Sequence, residues 1–351
     1  MTIDEQMNQE TAPMPESSEQ QTPPQTWQER FKQFVSRGKF DDLDENITKP
    51  NFRFNINGVD CVPSGEITAI SGKPGAGKST ALAILVGVLI GRSVFAGIRC
   101  VTPCKKVLWI DTEKGEYTCQ KKMSVFRRVA NVGQSQSLED VGVDFYLMRQ
   151  ETTEDRLHFI DALSQIEHYD AIVIDGIFDL TNDPDKNYAP VIDLLRKLAD
   201  GGASVFAMLH TNKGDDNMRY ALGTELQRIC TTRLTIEYDS KTGRHRIKHD
   251  KSNDSALAHE VAFVFDECGN VIPADESPQV QAKLQSSLNE FRQTFVDVFD
   301  DSQTMTYTEM KKRLKEMGMS EATAKRRIGE GKSKGIISLI PNGKVYQLTG
   351  I

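Results

Sequence analysis

The residues best suited to chemistry begin with a glycine-rich run, Gly72-Lys73-Pro74-Gly75-Ala76-Gly77-Lys78-Ser79-Thr80, which contains the spacing G-x-x-x-x-G-K-S. A loop that approaches phosphate needs glycine, so that backbone N–H groups can turn toward the oxygens. Gly72, Gly75 and Gly77 serve that need. Lys78 is placed to reach the β- and γ-phosphates of a nucleoside triphosphate, and Ser79 to ligate Mg2+. An apolar strand precedes the loop, and the apolar run Ala81–Gly91 follows as a buried helix. The positive N-terminal end of that helix adds to the anion site.

Three more residues stand at strand tips. The run Ala-Ile-Val-Ile ends at Asp175, which is expected to hold Mg2+ through water. Lys106–Asp111 reads as a strand with Glu113 just beyond it. Ligands in such sheets bind past the carboxyl ends of the strands, and a carboxylate there can orient and deprotonate an attacking water. Glu113 is the expected general base, with Asp111 its rival. A third strand ends at His210, followed by Thr211, Asn212 and Lys213. A polar side chain at that tip can touch the γ-phosphate and report its loss.

These residues need a frame to hold them. Residues 50–273 alternate strand-like runs (66–71, 106–111, 143–148, 171–175, 204–209, 233–239, 244–251 and 261–266) with helical stretches such as Ala189–Gly202. That alternation predicts an α/β domain with a mainly parallel sheet covered on both faces. The late strands, close together around Asp239–Arg244, predict an antiparallel extension. Residues 1–26 carry five acids, no base and little apolar bulk, which predicts a disordered acidic tail. In the helix and linker segment 27–49, Trp27, Phe31 and Phe34 lie at helical spacing. That helix packs on its own domain or on a neighbouring subunit. Residues 274–287 read as a polar linker.

The formal charge of the 351 residues is -7, but it is unevenly spread. Residues 304–351 hold ten Lys/Arg against four acids, a net of +6. Within 288–351 the pattern is helix, helix, basic helix and hairpin, with Thr306 and Glu309 as a capping box. Ser320 caps the next helix, and Asn342-Gly343 makes the hairpin turn. This arrangement resembles a winged helix, which implies duplex DNA in contact with Lys325, Arg326 and Arg327 on the basic helix and Lys344 on the hairpin. Gly329 and Gly331 suit a long helix poorly and are expected to end it early. A winged helix that binds protein is the other reading. Six cysteines without framework spacing, and no secretory signal, point to free thiols in a reducing cytoplasm. The longest apolar run is too short to span a bilayer.

Together the loop, Glu113, Asp175 and His210 resemble the RecA-like P-loop ATPases, especially the hexameric RepA-type helicase branch, with KaiC-like and DnaB-like proteins as wider relatives. The look is of the type found on mobile elements. The resemblance implies ATP and Mg2+ as cofactors and a homo-oligomeric ring, such as a hexamer, with single-stranded DNA through it. It also implies a cation from the neighbouring subunit that completes each site. Arg219, Lys248 and Lys251 are the candidates. Lys213–Gly223 is similar in position to the family's DNA-contacting loop, though Asp215 and Asp216 offset its two basic residues. The expected function is ATP hydrolysis coupled to DNA in replication, mobilisation or excision of a mobile element. The alternatives are an ATP-gated DNA-binding regulator without motor activity and, more remotely, a kinase, for which no Arg-rich lid segment is present.

Overall fold

Strands rich in Val, Ile and aromatic residues alternate with helices through most of the chain, and that alternation sets the architecture. The structure, a computed structural model, describes residues 26–37, 51–212, 218–276, 278–300, 302–340 and 344–349. Residues 1–25 of the expected acidic tail, all of 38–50, Lys213 with the rest of 213–217, and the Asn342-Gly343 turn lie outside them. The chain divides into two units, Met1–Lys49 and Pro50–Ile351. In the first, α1 (Trp27–Arg37) opens on a capping pair. The Glu29 N–H donates to Thr26 Oγ1 (3.3 Å) and the Thr26 N–H to Glu29 Oε2 (2.8 Å). Trp27 stacks on Phe31, and both are exposed with Val35.

The second unit begins β1 (Phe52–Ile56), β2 (Val59–Pro63), β3 (Ile67–Gly72), α2 (Lys78–Gly91), β4 (Val94–Phe95) and β5 (Ile98–Cys100). It continues β6 (Val107–Asp111), α3 (Glu116–Ala130), β7 (Val143–Leu147), α4 (Thr153–Ile166), β8 (Ala171–Asp175), α5 (Ala189–Asp200) and β9 (Ser204–His210). Then come α6 (Tyr220–Ile229), β10 (Thr232–Asp239), β11 (Arg244–Ser252), β12 (Val261–Phe265) and β13 (Val271–Pro273). Nine strands form one sheet in the order β13-β12-β11-β10-β3-β9-β8-β6-β7. The run from β10 to β7 is parallel, and β11, β12 and β13 extend it antiparallel. This is the mainly parallel sheet with an antiparallel extension that the sequence predicts, with β13 added at its edge.

Strands β3, β6 and β8 are buried along their whole length, as parallel strands covered on both faces must be. Alternate side chains serve the two faces. On β6, Val107 and Trp109 join the cluster of α2 and α3, while Leu108 and Ile110 join that of α5 and α6. Four strands the sequence reading lacked make a small antiparallel sheet, β2-β1-β5-β4. They are two to five residues long, too short for periodicity to register.

The C-terminal elements are α7 (Pro278–Phe299), β14 (Met305–Thr306), α8 (Tyr307–Glu316), α9 (Glu321–Ser333), β15 (Ile337–Leu339) and β16 (Val345–Leu348). They share a cluster of their own around Phe295, Phe299, Met310, Leu314 and Ile328, with an antiparallel sheet β14-β16-β15. Two expectations need correction here. The supposed linker 274–287 is a short 3-10 turn, Ala274–Glu276, followed by the first half of α7. Its residues are polar, but Gln, Ala, Lys and Leu are good helix formers, and Pro278 suits a first turn. The basic helix α9 does not end early at its glycines: it runs through both to Ser333. Gly331 is buried where a Cβ would meet the Phe295 ring at 2.7 Å, so the glycine permits close packing of α9 on α7.

Candidate phosphate and metal site

The loop after β3 is built as the glycine spacing requires. Lys73, Pro74 and Gly75 form its exposed crest, and the Ala76 N–H donates to Lys73 O at 3.1 Å. Gly75 (φ 77°) and Gly77 (φ 93°) sit in the left-handed region. Gly72 is needed for a different reason: a Cβ there would strike the Ile236 carbonyl on β10. Lys78, Ser79 and Thr80 form the first turn of α2. Backbone amides and the helix N-terminus thus face the loop together.

Lys78 is almost fully buried. Its ammonium donates to the carbonyls of Gly72 (2.9 Å) and Lys73 (3.0 Å) and to His210 Nδ1 (2.8 Å). Burial lowers its pKa to about 8, despite the opposing pull of Glu113 and Asp175. Burial and the adjacent Lys78 charge also lower His210, so its imidazole favours the neutral form, with Nδ1 the acceptor. The other nitrogen, Nε2, lies 3.7 Å from Glu113 Oε1. Glu113 also pairs with Lys114 at 2.9 Å. Gly176 makes room for this corner, since a Cβ there would meet Thr112 Oγ1 and the Glu113 side chain. The loop after β3 and the tips of β6 and β9 therefore converge on one corner.

Asp111 and Asp175 are cross-strand partners on β6 and β8 and are both fully buried. Two adjacent carboxylates without water require a cation, and Lys122 of α3 supplies it. Its ammonium bonds Oδ2 of each. Asp111 Oδ1 accepts the N–H groups of Glu113 (3.0 Å) and Lys114 (2.8 Å), and Oδ2 also accepts the Cys119 thiol (3.3 Å). Burial alone would raise Asp111, but Lys122 and these donors outweigh it and hold it below the usual range. Both its oxygens are thus occupied. Burial raises Asp175 against the pull of Lys122. Its Oδ1 is buried and has no partner.

That orphaned oxygen is the test of the expected Mg2+. A hard cation that keeps several waters suits one free carboxylate oxygen and one hydroxyl, which Asp175 Oδ1 and Ser79 supply. Among the described residues no three His, Cys, Asp or Glu side chains group as a metal cage. The remaining ligands would therefore be water and phosphate.

Two clefts flank the loop. One, of about 540 Å³, is lined by Gly72–Ala76, Thr211 and Thr235–Tyr238. The other, of about 520 Å³, includes Ser79, Thr80, Lys121, Lys122 and Phe265. His245 of β11 ties the loop to the sheet. Its Nδ1–H donates to Ala76 O at 2.8 Å, its ring stacks on Phe263, and its Nδ1 lies 2.7 Å from where a Gly77 Cβ would be.

The proposed neighbour-acting cations are all engaged within their own chain. Arg219 Nε donates to Thr211 O (2.9 Å), beside His210. Lys248 pairs with Glu237 (2.6 Å), which Arg246 also contacts (2.8 Å). Lys251 donates to Gln227 O (2.7 Å) and Cys230 O (2.5 Å) at the C-terminus of α6. An ammonium there satisfies orphan carbonyls, so Lys251 acts as a helix cap. On α9, Lys325 and Arg326 project outward, paired with Glu321 (3.3 Å) and Glu330 (3.3 Å). Arg327 departs from the expected outer face and lies over the Phe291 ring, 4.7 Å from its centroid. Lys344 is exposed.

Sequence reasoning missed Lys122 and His245. The first had a signal: Cys119, Lys122, Phe126 and Val129 share the buried stripe of α3, and a lysine in an apolar stripe needs an acid. The second had none, because no spacing links β11 to the loop.

Residues 30–216 match the AAA domain family. No curated protein matches the sequence. Among solved structures, a KaiC-like protein from the hyperthermophilic archaeon Pyrococcus horikoshii OT3 is similar at 13% identity. The similarity covers 64% of this chain and 99% of that one, with a TM-score of 0.48.

Proposed function

We propose, from the premise that the chain belongs to the AAA domain family, whose match covers more than half of it, that it is a RecA-like ATPase acting on DNA as an oligomeric motor or loader. The observation that carries hydrolysis is the chain Lys78–His210–Glu113. The phosphate lysine bonds one ring nitrogen, and the other nitrogen faces the carboxylate.

When ATP enters, Lys78 exchanges its loop carbonyls and His210 for the β- and γ-phosphate oxygens. Glu113 accepts a proton from water as that water attacks the γ-phosphorus and the bond to ADP breaks. His210, released by Lys78, contacts the γ-phosphate and couples its presence to the position of Glu113. Mg2+ held by Ser79 and, through water, by Asp175 would neutralise phosphate charge.

The DNA reading rests on the +6 segment 304–351 and on the helix, basic helix and hairpin order of α8, α9, β15 and β16, which supports a winged helix. A ring would pass single-stranded DNA, while Lys325, Arg326 and Lys344 would meet duplex phosphates. Glu113→Gln is the direct test of the chemistry. Turnover should fall about 10²–10⁴-fold while a non-hydrolysable ATP analogue still binds. Wild-type turnover in this variant, or phosphate transfer to a small molecule, would remove the hydrolytic role.

A further inference from the structure

Lys122 is a buried lysine that the hydrolytic scheme does not use. Its side chain is 3% exposed, it reaches from the second turn of α3, and its ammonium stands between Asp111 and Asp175. It also lies over the Trp109 ring, 5.6 Å from the centroid, which closes the apolar side. Asp111 is saturated by Lys122, Cys119 and two backbone amides. Asp175 is not: Lys122 takes Oδ2, and Oδ1 is left buried and unpartnered. The same lysine lines the cleft that holds Ser79 and Thr80.

We propose that Lys122 is a positioning residue for the metal: it holds Asp175 by one oxygen, presents the other toward the metal position, and keeps a divalent cation off the carboxylate pair until nucleotide brings one. The argument is electrostatic and geometric. Two cross-strand carboxylates in a dry site attract any cation. With the ammonium in place the trio carries one net negative charge. A free divalent ion then finds a single oxygen and too little charge, and needs phosphate oxygens to complete its shell. Outer partners that fix a metal-bound carboxylate typically change affinity or activity about 10–100-fold when removed. This inference rests on the Mg2+-dependent ATPase reading above.

Mn2+ binding followed by electron paramagnetic resonance tests the proposal without relying on turnover. Wild type and Lys122→Arg should bind Mn2+ tightly only with a non-hydrolysable ATP analogue. Lys122→Met should bind it without nucleotide at least about tenfold more tightly than wild type. Should Lys122→Met fail to fold, Lys122→Met with Asp111→Asn restores the net charge of the trio. In that double variant, Mn2+ affinity with the analogue should stay about 10–100-fold below wild type, because Asp175 has lost its brace. Two results would overturn the proposal: Lys122→Met that binds free Mn2+ no better than wild type, or a double variant with wild-type affinity. The second would leave Lys122 a charge neutraliser only. Failure of the ATPase reading would be seen separately, as absence of turnover in the wild-type protein.

Discussion

At the scale of single residues, the account turns on a lysine kept where its charge is costly. Lys78 is held by carbonyls and a neutral imidazole, and burial brings its pKa to about 8 from its ordinary 10.5. Triphosphate needs the ammonium form. Nucleotide affinity should therefore be flat below about pH 8 and fall above it by up to about tenfold per pH unit. A fluorescent-analogue titration from pH 7 to 10 reads this directly. Without nucleotide the sign is opposite for stability. The unfolded chain binds the extra proton between about pH 8 and 10.5, so this group's contribution grows as pH rises through that window. Lys78 was legible from its glycine spacing, and Glu113, Asp175 and His210 because each stands at or just past the end of an apolar run, where a polar residue has no packing reason to be. Lys122 and His245 were not, because their partners are distant in sequence and meet them only through the packing of α3 and β11.

At the scale of elements, the two glycines of α9 make opposite predictions. Nothing lies within 4 Å of a Cβ built on Gly329, whereas one on Gly331 meets Phe295 Cζ at 2.7 Å and Cε2 at 2.9 Å. Gly329→Ala should stabilise the protein by about 0.5–1 kcal/mol through helix propensity. Gly331→Ala should cost about 1–3 kcal/mol through overpacking. Urea unfolding of the two variants checks the difference in sign. Helix propensity read locally treated both glycines as breakers, because Gly331 is explained by a ring 36 positions earlier in the chain. The same locality misread α7, whose polar first half looks like a linker and folds as helix. The parallel core was legible, since β3, β6, β8 and β9 are continuous, mostly apolar runs. The small sheet of β1, β2, β4 and β5 was not, since pairing rather than pattern defines it.

At the scale of the whole molecule, charge is divided. The chain is acidic overall, and its basic excess gathers in 304–351. On the proposed reading, the core would avoid nonspecific phosphate binding while 304–351 would meet DNA. Of the proposed trans-acting cations, Lys251 caps α6, Lys248 pairs with Glu237 and Arg219 bonds Thr211 O, each within its own chain. The central claim is that the Gly72–Ser79 loop powers work on DNA, and steady-state ATP turnover with and without single-stranded DNA tests it most directly. The account predicts Mg2+-dependent turnover that rises several-fold when single strands are added. Turnover absent with every DNA tried would contradict it, and turnover indifferent to single strands, with duplex bound through 304–351, would leave an ATP-gated regulator in place of a motor.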